Sequence, residues 1–347
     1  MGRKAFIIGN GFDLDLGWPT SYHAFYEYEF GPISELKLNS EQQSVLERIS
    51  ENTKGKDSLL FRVLKKYSKI DKWMSLENVI MNYYLTKSAI IQGRECDDDN
   101  DMKKMFQTID NISKELNLTD VVSETVDNND KSYFDTLKQD LTTYLNYATN
   151  LPVNFDSIAS SVFRLISNNG NFTFFDFNYT NLDYVFKLKL RESGINARFN
   201  GFNNLHGNLN AGIILGIYEG IEVAERYEYI HKHVDNHIVN IDLQSVLQEA
   251  DEVIFFGHSF GKSDFNYFNN FFESQARSDK SGEKPVHISI FTYNEESKNE
   301  IRNNLINHLQ DDKYKRMVHN TDFNIFCTSE LKNCNELFKR LLSDTLT

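Results

Sequence analysis

The chain has 347 residues, of which 40% are hydrophobic, 13% aromatic and 25% charged, a composition that excludes overall disorder and fits one large domain or two modest ones. Its 37 basic against 50 acidic side chains leave a formal charge of -13, which repels phosphate backbones and anionic membranes, so neither nucleic acid nor a membrane is expected as a partner. Cys96, Cys327 and Cys334 are too scattered for a disulfide framework or a four-thiolate zinc site, and no stretch resembles a signal-peptide core or a membrane span; a cytoplasmic location is expected.

Lys4 to Gly9 predicts a short buried strand, because Ala5, Phe6, Ile7 and Ile8 are uniformly apolar and stop at a Gly-Asn-Gly turn. From about Tyr22 to Phe163 the pattern is helical, with Phe134, Leu137, Leu141, Tyr144, Leu145 and Ala148 at spacings of three and four. Within it Trp73, Tyr83 and Tyr84 read as core and Glu77 as a solvated residue of an amphipathic helix. The interruptions Glu51 to Lys56, Glu95 to Asp101 and Asp127 to Lys131 are too polar to bury and predict solvated loops. The acidic run Asp97 to Asp101 lacks the glycine and closing glutamate of a calcium loop, and no metal site is expected.

After Gly170 strand signals return at Phe172 to Phe177, Ile213 to Leu215, Glu252 to Phe256, Val286 to Thr292 and Phe323 to Cys327. Helical patterns at Leu243 to Ala250, Phe265 to Ala276 and Glu296 to Leu309 separate the later ones. Such alternation predicts an α/β fold: a doubly wound, mainly parallel sheet covered on both faces, with a large helical insertion after the first strand-helix unit. The expected division is 1–30 with 166–347 for the α/β domain and 31–165 for the insertion.

Ligands of an open parallel sheet lie beyond the carboxyl ends of its strands, which singles out the residues after each apolar run. Gly9-Asn10-Gly11-Phe12-Asp13 offers a tight turn whose backbone N–H groups suit a phosphate, although Leu14 stands where the dinucleotide fingerprint has its third glycine. Asp13 fits a ribose contact or a helix cap. Asn178, at the end of the second strand, can hold a water or a sugar hydroxyl through both its donor and its acceptor, or close the strand as an Asx-turn. His206, in the polar loop Asn203 to Asn208, suits general-base work near neutral pH, while a surface role is the plainer reading.

Gly257-His258-Ser259-Phe260-Gly261 follows an apolar strand and matches the G-x-S-x-G nucleophile elbow, which makes a serine hydrolase acting through Ser259 an alternative. His287, His308 and His319 are its downstream base candidates. With Lys262 and Ser263 the same segment falls one residue short of a Walker loop. His233 and His237 would share a helix face and suit zinc, but without a general-base glutamate between them the segment reads as a polar surface helix. The expected nucleotide-contact set is Gly9, Asn10, Gly11, Phe12, Asp13, Gly257, His258, Ser259, Asp264 and Asn294.

These segments together resemble the AbiH family of bacteriophage abortive-infection proteins. The matching words are Ile8 to Asp13 with Gly17, Thr20 and Tyr22; Trp73 with Glu77; Phe177 to Thr180; Leu205-His206-Gly207; and Gly257-His258-Ser259 with Asp264. Their order is similar to that of sirtuin-like NAD-binding domains. That resemblance implies that Asn178 and His206 take the positions facing the nicotinamide ribose and its attacking water, that the loop at Gly9 and Gly11 takes the pyrophosphate, and that NAD is the ligand or substrate. Asp13 or Glu77 would stabilise a positive ribose. Three dispersed cysteines do not build the four-cysteine zinc module of the deacylases, and Thr180 stands where the sirtuin-like group commonly has an aspartate. The implied activity is hydrolysis of NAD to nicotinamide and ADP-ribose in phage defence; the alternative is a nucleotide-binding sensor or complex-forming protein without chemistry. A phage trigger or a homo-oligomer would be its partner, and the helical insertion a candidate for such contacts.

Overall fold

In the computed structural model, which describes residues 3–31, 58–70, 75–93, 100–115, 129–168, 172–183, 185–186, 202–218, 220–235, 242–278 and 284–330, the first apolar run forms strand β1 (Arg3–Ile8). Five further strands join it: β2 (Phe172–Asp176), β3 (Phe202–Asn204), β4 (Ala250–Phe256), β5 (His287–Thr292) and β6 (Asp322–Cys327). Every pairing between neighbours is parallel, and the order across the sheet is β3-β2-β1-β4-β5-β6. That is the order of a doubly wound sheet whose winding reverses between β1 and β4.

Alternate residues of each strand face opposite layers. Ala5 and Ile7 of β1, Phe175 of β2, Val253 and Phe255 of β4 and Ile288 and Ile290 of β5 pack on α8 (Leu243–Gln248), α10 (Asn269–Gln275), α11 (Glu295–Leu309) and α12 (Asp311–Asn320). Phe6, Ile8, Phe174, Ile254 and Phe256 turn the other way, onto α1 (Asn10–Asp15) and α7 (Ile158–Asn168). Of the helices packed on these strands, α1 and α7, from between β1 and β2, thus cover one face, and α8, α10, α11 and α12 the other. The strands read as continuous apolar runs because both faces are buried.

The described chain divides into two compact units, one of residues 1–19, 148–212 and 239–347 and one of 20–147 with 213–238. The second contains α2 (Tyr22–Phe30), α3 (Leu59–Ile70), α4 (Leu76–Gln92), α5 (Asn100–Glu115) and most of α6 (Asp130–Thr149), together with 3-10 turns at Glu225–Ile230 and Lys232–Val234. Its core is aromatic, with Tyr83 and Tyr84 buried, and α6 buries the predicted stripe from Phe134 to Ala148. Two buried ion pairs tie it together: Lys87 with Asp130 at 2.5 Å, to which the Tyr227 hydroxyl also donates, and Lys232 with Glu77 at 2.8 Å. No helix among the described residues is long and apolar enough to cross a membrane.

Several expectations are corrected. Ile213 to Leu215 does not join the large sheet; Gly212–Ile213 only pairs locally with Gly207–Asn208. The polar loop at Asn203 instead begins as edge strand β3, which needs hydrogen bonds on one side only and so tolerates asparagines. Phe265 to Ala276 is broken into α9 (Lys262–Phe265) and α10 by tight turns in which the Tyr267 and Phe268 amides donate to Asp264 and Phe265. Asp130, expected in a solvated loop, starts α6 buried against Lys87. His231 and Lys232, expected on a surface helix, are buried, His231 as an extended residue bridged to Ile217 between two 3-10 turns and Lys232 at the start of the second. Glu77, expected in solvent, is buried because Lys232 compensates its charge. Trp73, Cys96, His237 and Cys334 lie outside the described residues.

Candidate functional site

The carboxyl ends of β1 and β4 flank the reversal point, and each carries a glycine turn. The Gly9 amide donates to Phe256 O at 2.9 Å and the Gly11 amide to Gly257 O at 3.0 Å, so the two turns are bonded backbone to backbone. The glycines serve this approach. A Cβ on Gly9 would lie 2.7 Å from Gly257 O, one on Gly11 2.6 Å from Gly257 Cα, and one on Gly257 2.4 Å from Gly11 Cα. Gly257 also has φ +67, a conformation that disfavours any side chain. With the Gly11 amide spent on Gly257 and the Phe12 amide on Gly9 O, the turn offers fewer donors than the expected phosphate cradle. The Phe12 ring is fully buried, edge-on to Phe256 at 5.2 Å, and belongs to the core rather than to a ligand surface.

Below the turn lie two fully buried carboxylates, Asp13 of α1 and Asp176 at the end of β2. Burial, with the Asp13 charge adding to it, pushes the Asp176 carboxyl well above the usual carboxylate range. Asp176 Oδ1 accepts the Asn178 amide at 2.9 Å and its Oδ2 accepts Asn204 Nδ2 at 3.3 Å. The Asx-turn expected of Asn178 is thus made by Asp176, which leaves the Asn178 side chain for the crevice. Asn178 Nδ2 donates to Gly9 O at 3.1 Å, so the amide is oriented by the first glycine turn.

His206 follows β3, and the chain reverses directly after it through Gly207, whose φ is +71. Its buried ring lies against the rings of Phe177 at 5.4 Å, Tyr179 at 6.2 Å and Tyr267 at 6.2 Å. Phe177, the neighbour of Asn178, is also edge-on to His258 at 5.0 Å. One phenyl ring therefore touches both imidazoles, and Asp264 faces both: Oδ1 lies 3.7 Å from His206 Nε2 and Oδ2 3.9 Å from His258 Nε2. Asn178, His206, His258 and Asp264 accordingly gather beyond the ends of β1, β2, β3 and β4.

Two histidines and a carboxylate are also a metal-ligand set. His258 argues against that use: its Nδ1 accepts the Phe260 N–H at 3.0 Å, so the neutral ring carries its proton on Nε2, the nitrogen that faces the carboxylate. Elsewhere, ligand atoms of Glu295, Cys327 and Glu330 lie within 4.8 Å of one another. Lys298 pairs with Glu295, and burial beside that carboxylate pushes the Cys327 thiol up, away from the thiolate a metal needs.

The remaining predicted residues separate from this cluster or take other tasks. Ser259 is exposed, its carbonyl accepts Asn304 Nδ2, and no described histidine reaches its hydroxyl. His287 pairs with Asp322 at the amino ends of β5 and β6, and His308 stacks on Phe265 at 4.0 Å. The positive φ of a nucleophile elbow falls on Phe260, at +54, and not on Ser259. Asn294 caps α11 by accepting the Ser297 amide at 2.9 Å, which occupies its side-chain oxygen. His231 and His233 contact each other ring to ring at 5.1 Å within the helical unit. Asp176 and Asn204 went unrecognised as site residues in the sequence, where position at a strand end was the signal available for them, and Phe177 entered only as part of the family resemblance.

No curated protein and no solved structure matches the chain. The family described as bacteriophage abortive infection AbiH matches residues 5–281, from β1 past the end of α10, and takes in both glycine turns, Asn178, His206 and Asp264. With most of its length so matched, the chain belongs to the AbiH family of bacteriophage abortive-infection proteins.

Proposed function

We propose that the crevice between β1 and β4 binds NAD and hydrolyses its nicotinamide-ribose bond, giving nicotinamide and ADP-ribose, so that an infected cell is starved of NAD. The observation that carries this reading is the placement of Asn178 and His206 at the ends of adjacent strands, with the Asn178 amide hydrogen-bonded to the glycine turn at the reversal point of the sheet. The sirtuin-like assignment of the core belongs to the same proposal.

The chemistry asks little of the protein. Nicotinamide leaves a cationic pyridinium as a neutral base, so no general acid is required. A water oxygen bonds to ribose C1′ while the C1′–N1 pair departs with the ring, and the water proton passes to His206 and then to solvent. Asn178 has its Nδ2 committed to Gly9 O, which presents Oδ1 as an acceptor for that water or for a ribose hydroxyl. Positive charge on the ribose is favoured by a carboxylate, and Asp13 acts from its buried place through its field. Glu77 is relieved of this role by its pairing with Lys232.

The engagement of the Gly11 amide and the presence of Thr180 at the motif position favour a second reading, in which nucleotide is bound and sensed without turnover. NAD consumption by purified protein, with and without phage lysate, separates the two. Wild type should consume NAD while folded Asn178→Ala and His206→Ala do not; equal loss in all three contradicts the assignment. Tight binding with NAD recovered intact establishes the second reading.

A further inference from the structure

His258 and Asp264 were expected to touch nucleotide, but their surroundings point to another task. The His258 ring is buried among Phe177, Phe255, Phe260 and Phe268, with centroids 5.0, 6.4, 4.9 and 5.0 Å away. Its Nδ1 is occupied by the Phe260 N–H, which fixes the tautomer as Nε2–H. The turn that delivers this N–H holds Phe260 at φ +54, a conformation unfavourable to an L-residue and kept only where the surroundings enforce it. Burial pushes the His258 pKa down to about 3, so the ring is a fixed donor and not a base. Its one N–H lies toward Asp264 Oδ2, and the other oxygen of Asp264 faces His206 Nε2.

We infer that Asp264 is a positioning residue for His206, and that His258 is the neutral donor that orients Asp264. The carboxylate selects the His206 tautomer with its proton on Nε2, leaves Nδ1 as the base, and strengthens that base by favouring the imidazolium. The separations of 3.7 and 3.9 Å are longer than hydrogen bonds and close to bonding distance when ligand fills the crevice, as catalytic contacts in unliganded enzymes commonly do. The rings of Phe177, Tyr179 and Tyr267 also face His206. The inference rests on the reading of His206 as the base, but its first test needs no turnover.

That test is 15N–1H NMR of histidine-labelled protein without ligand, in wild type, Asp264→Asn and Asp264→Glu. In wild type, His206 should be the Nε2–H tautomer and His258 should stay neutral down to pH 5. The His206 pKa should fall by roughly one unit or more in Asp264→Asn and be retained within about half a unit in Asp264→Glu, which keeps the charge. An unchanged His206 tautomer and pKa in Asp264→Asn overturns the inference. Where NAD is cleaved, Asp264→Asn should lower kcat by roughly 10–100-fold with KM nearly constant, and should move the acid limb of the pH–rate profile to lower pH. A fall in His206 pKa in a protein that never cleaves NAD would sink the NAD reading and leave the positioning intact; cleavage with no change at His206 would sink the positioning alone.

Discussion

Replacing Gly257 by alanine tests whether the two glycine turns are glycine for the sake of each other. Two costs add. The φ of +67 charges an L-residue about 1–2 kcal/mol. The new Cβ would lie 2.4 Å from Gly11 Cα, Gly11 C and Phe12 N, all backbone, where carbon contacts normally sit at about 3.5–4.0 Å. The turns must then part by roughly 1 Å, enough to break the Gly11 N–H to Gly257 O bond and strain that from Gly9 to Phe256 O; a lost buried backbone bond costs about 1–3 kcal/mol. The total is roughly 2–5 kcal/mol, a large part of the stability of an ordinary domain. Gly17→Ala in the same unit is the control, since φ there is +90 but the added Cβ meets only Asn154 Cβ at 3.9 Å. Urea unfolding followed by circular dichroism should show Gly17→Ala losing about 1–2 kcal/mol and Gly257→Ala at least twice that, or failing to fold. Equal losses at the two sites would refute the backbone-contact explanation.

Two further outcomes follow from the buried charges. Glu77→Ala leaves the Lys232 ammonium buried without its carboxylate and should cost about 3–5 kcal/mol in thermal or urea unfolding, whereas Glu77→Leu with Lys232→Met should cost far less; a negligible loss in the single variant would remove the pair from the helical core. His258 has a folded pKa of about 3, below its unfolded value, so it adds stability that is present above pH 6.5 and is lost as pH falls toward 3. Between pH 7 and pH 4.5, wild type should therefore lose roughly 2–3 kcal/mol more than His258→Asn, whose amide oxygen still accepts the Phe260 N–H but does not titrate. The opposite pH trend of Asp176, whose raised pKa favours the folded state in acid, is common to both proteins and cancels. Identical pH slopes would mean that His258 is solvated.

Strands β1, β2, β4, β5 and β6 were legible because a parallel sheet buried on both faces writes them as apolar runs ended by turns. Strand β3 was not, since Phe202-Asn203-Asn204 at a sheet edge carries no such run. The candidate site was half legible. Strand ends identified Asn178 and His206, but the bond from Asn178 to Gly9 spans 169 positions and leaves no local trace. A glycine that approaches a phosphate and one that approaches another glycine look the same in sequence, so the contact of Gly9 and Gly11 with Gly257 left no trace there. Polar residues misled for the same reason: Asp130 was assigned to solvent because Lys87, its partner 43 positions earlier, is a neighbour only in the fold.

The central claim, that Asn178 and His206 act on one dinucleotide over the β1–β4 crevice, is tested most directly by a crystal structure of folded Asn178→Ala protein soaked with NAD. The account predicts intact NAD lying across the Gly9 and Gly257 turns, with the nicotinamide ribose beside His206 and a water within hydrogen-bond reach of that imidazole. Nucleotide bound elsewhere, or with its adenine end at His206, would contradict it.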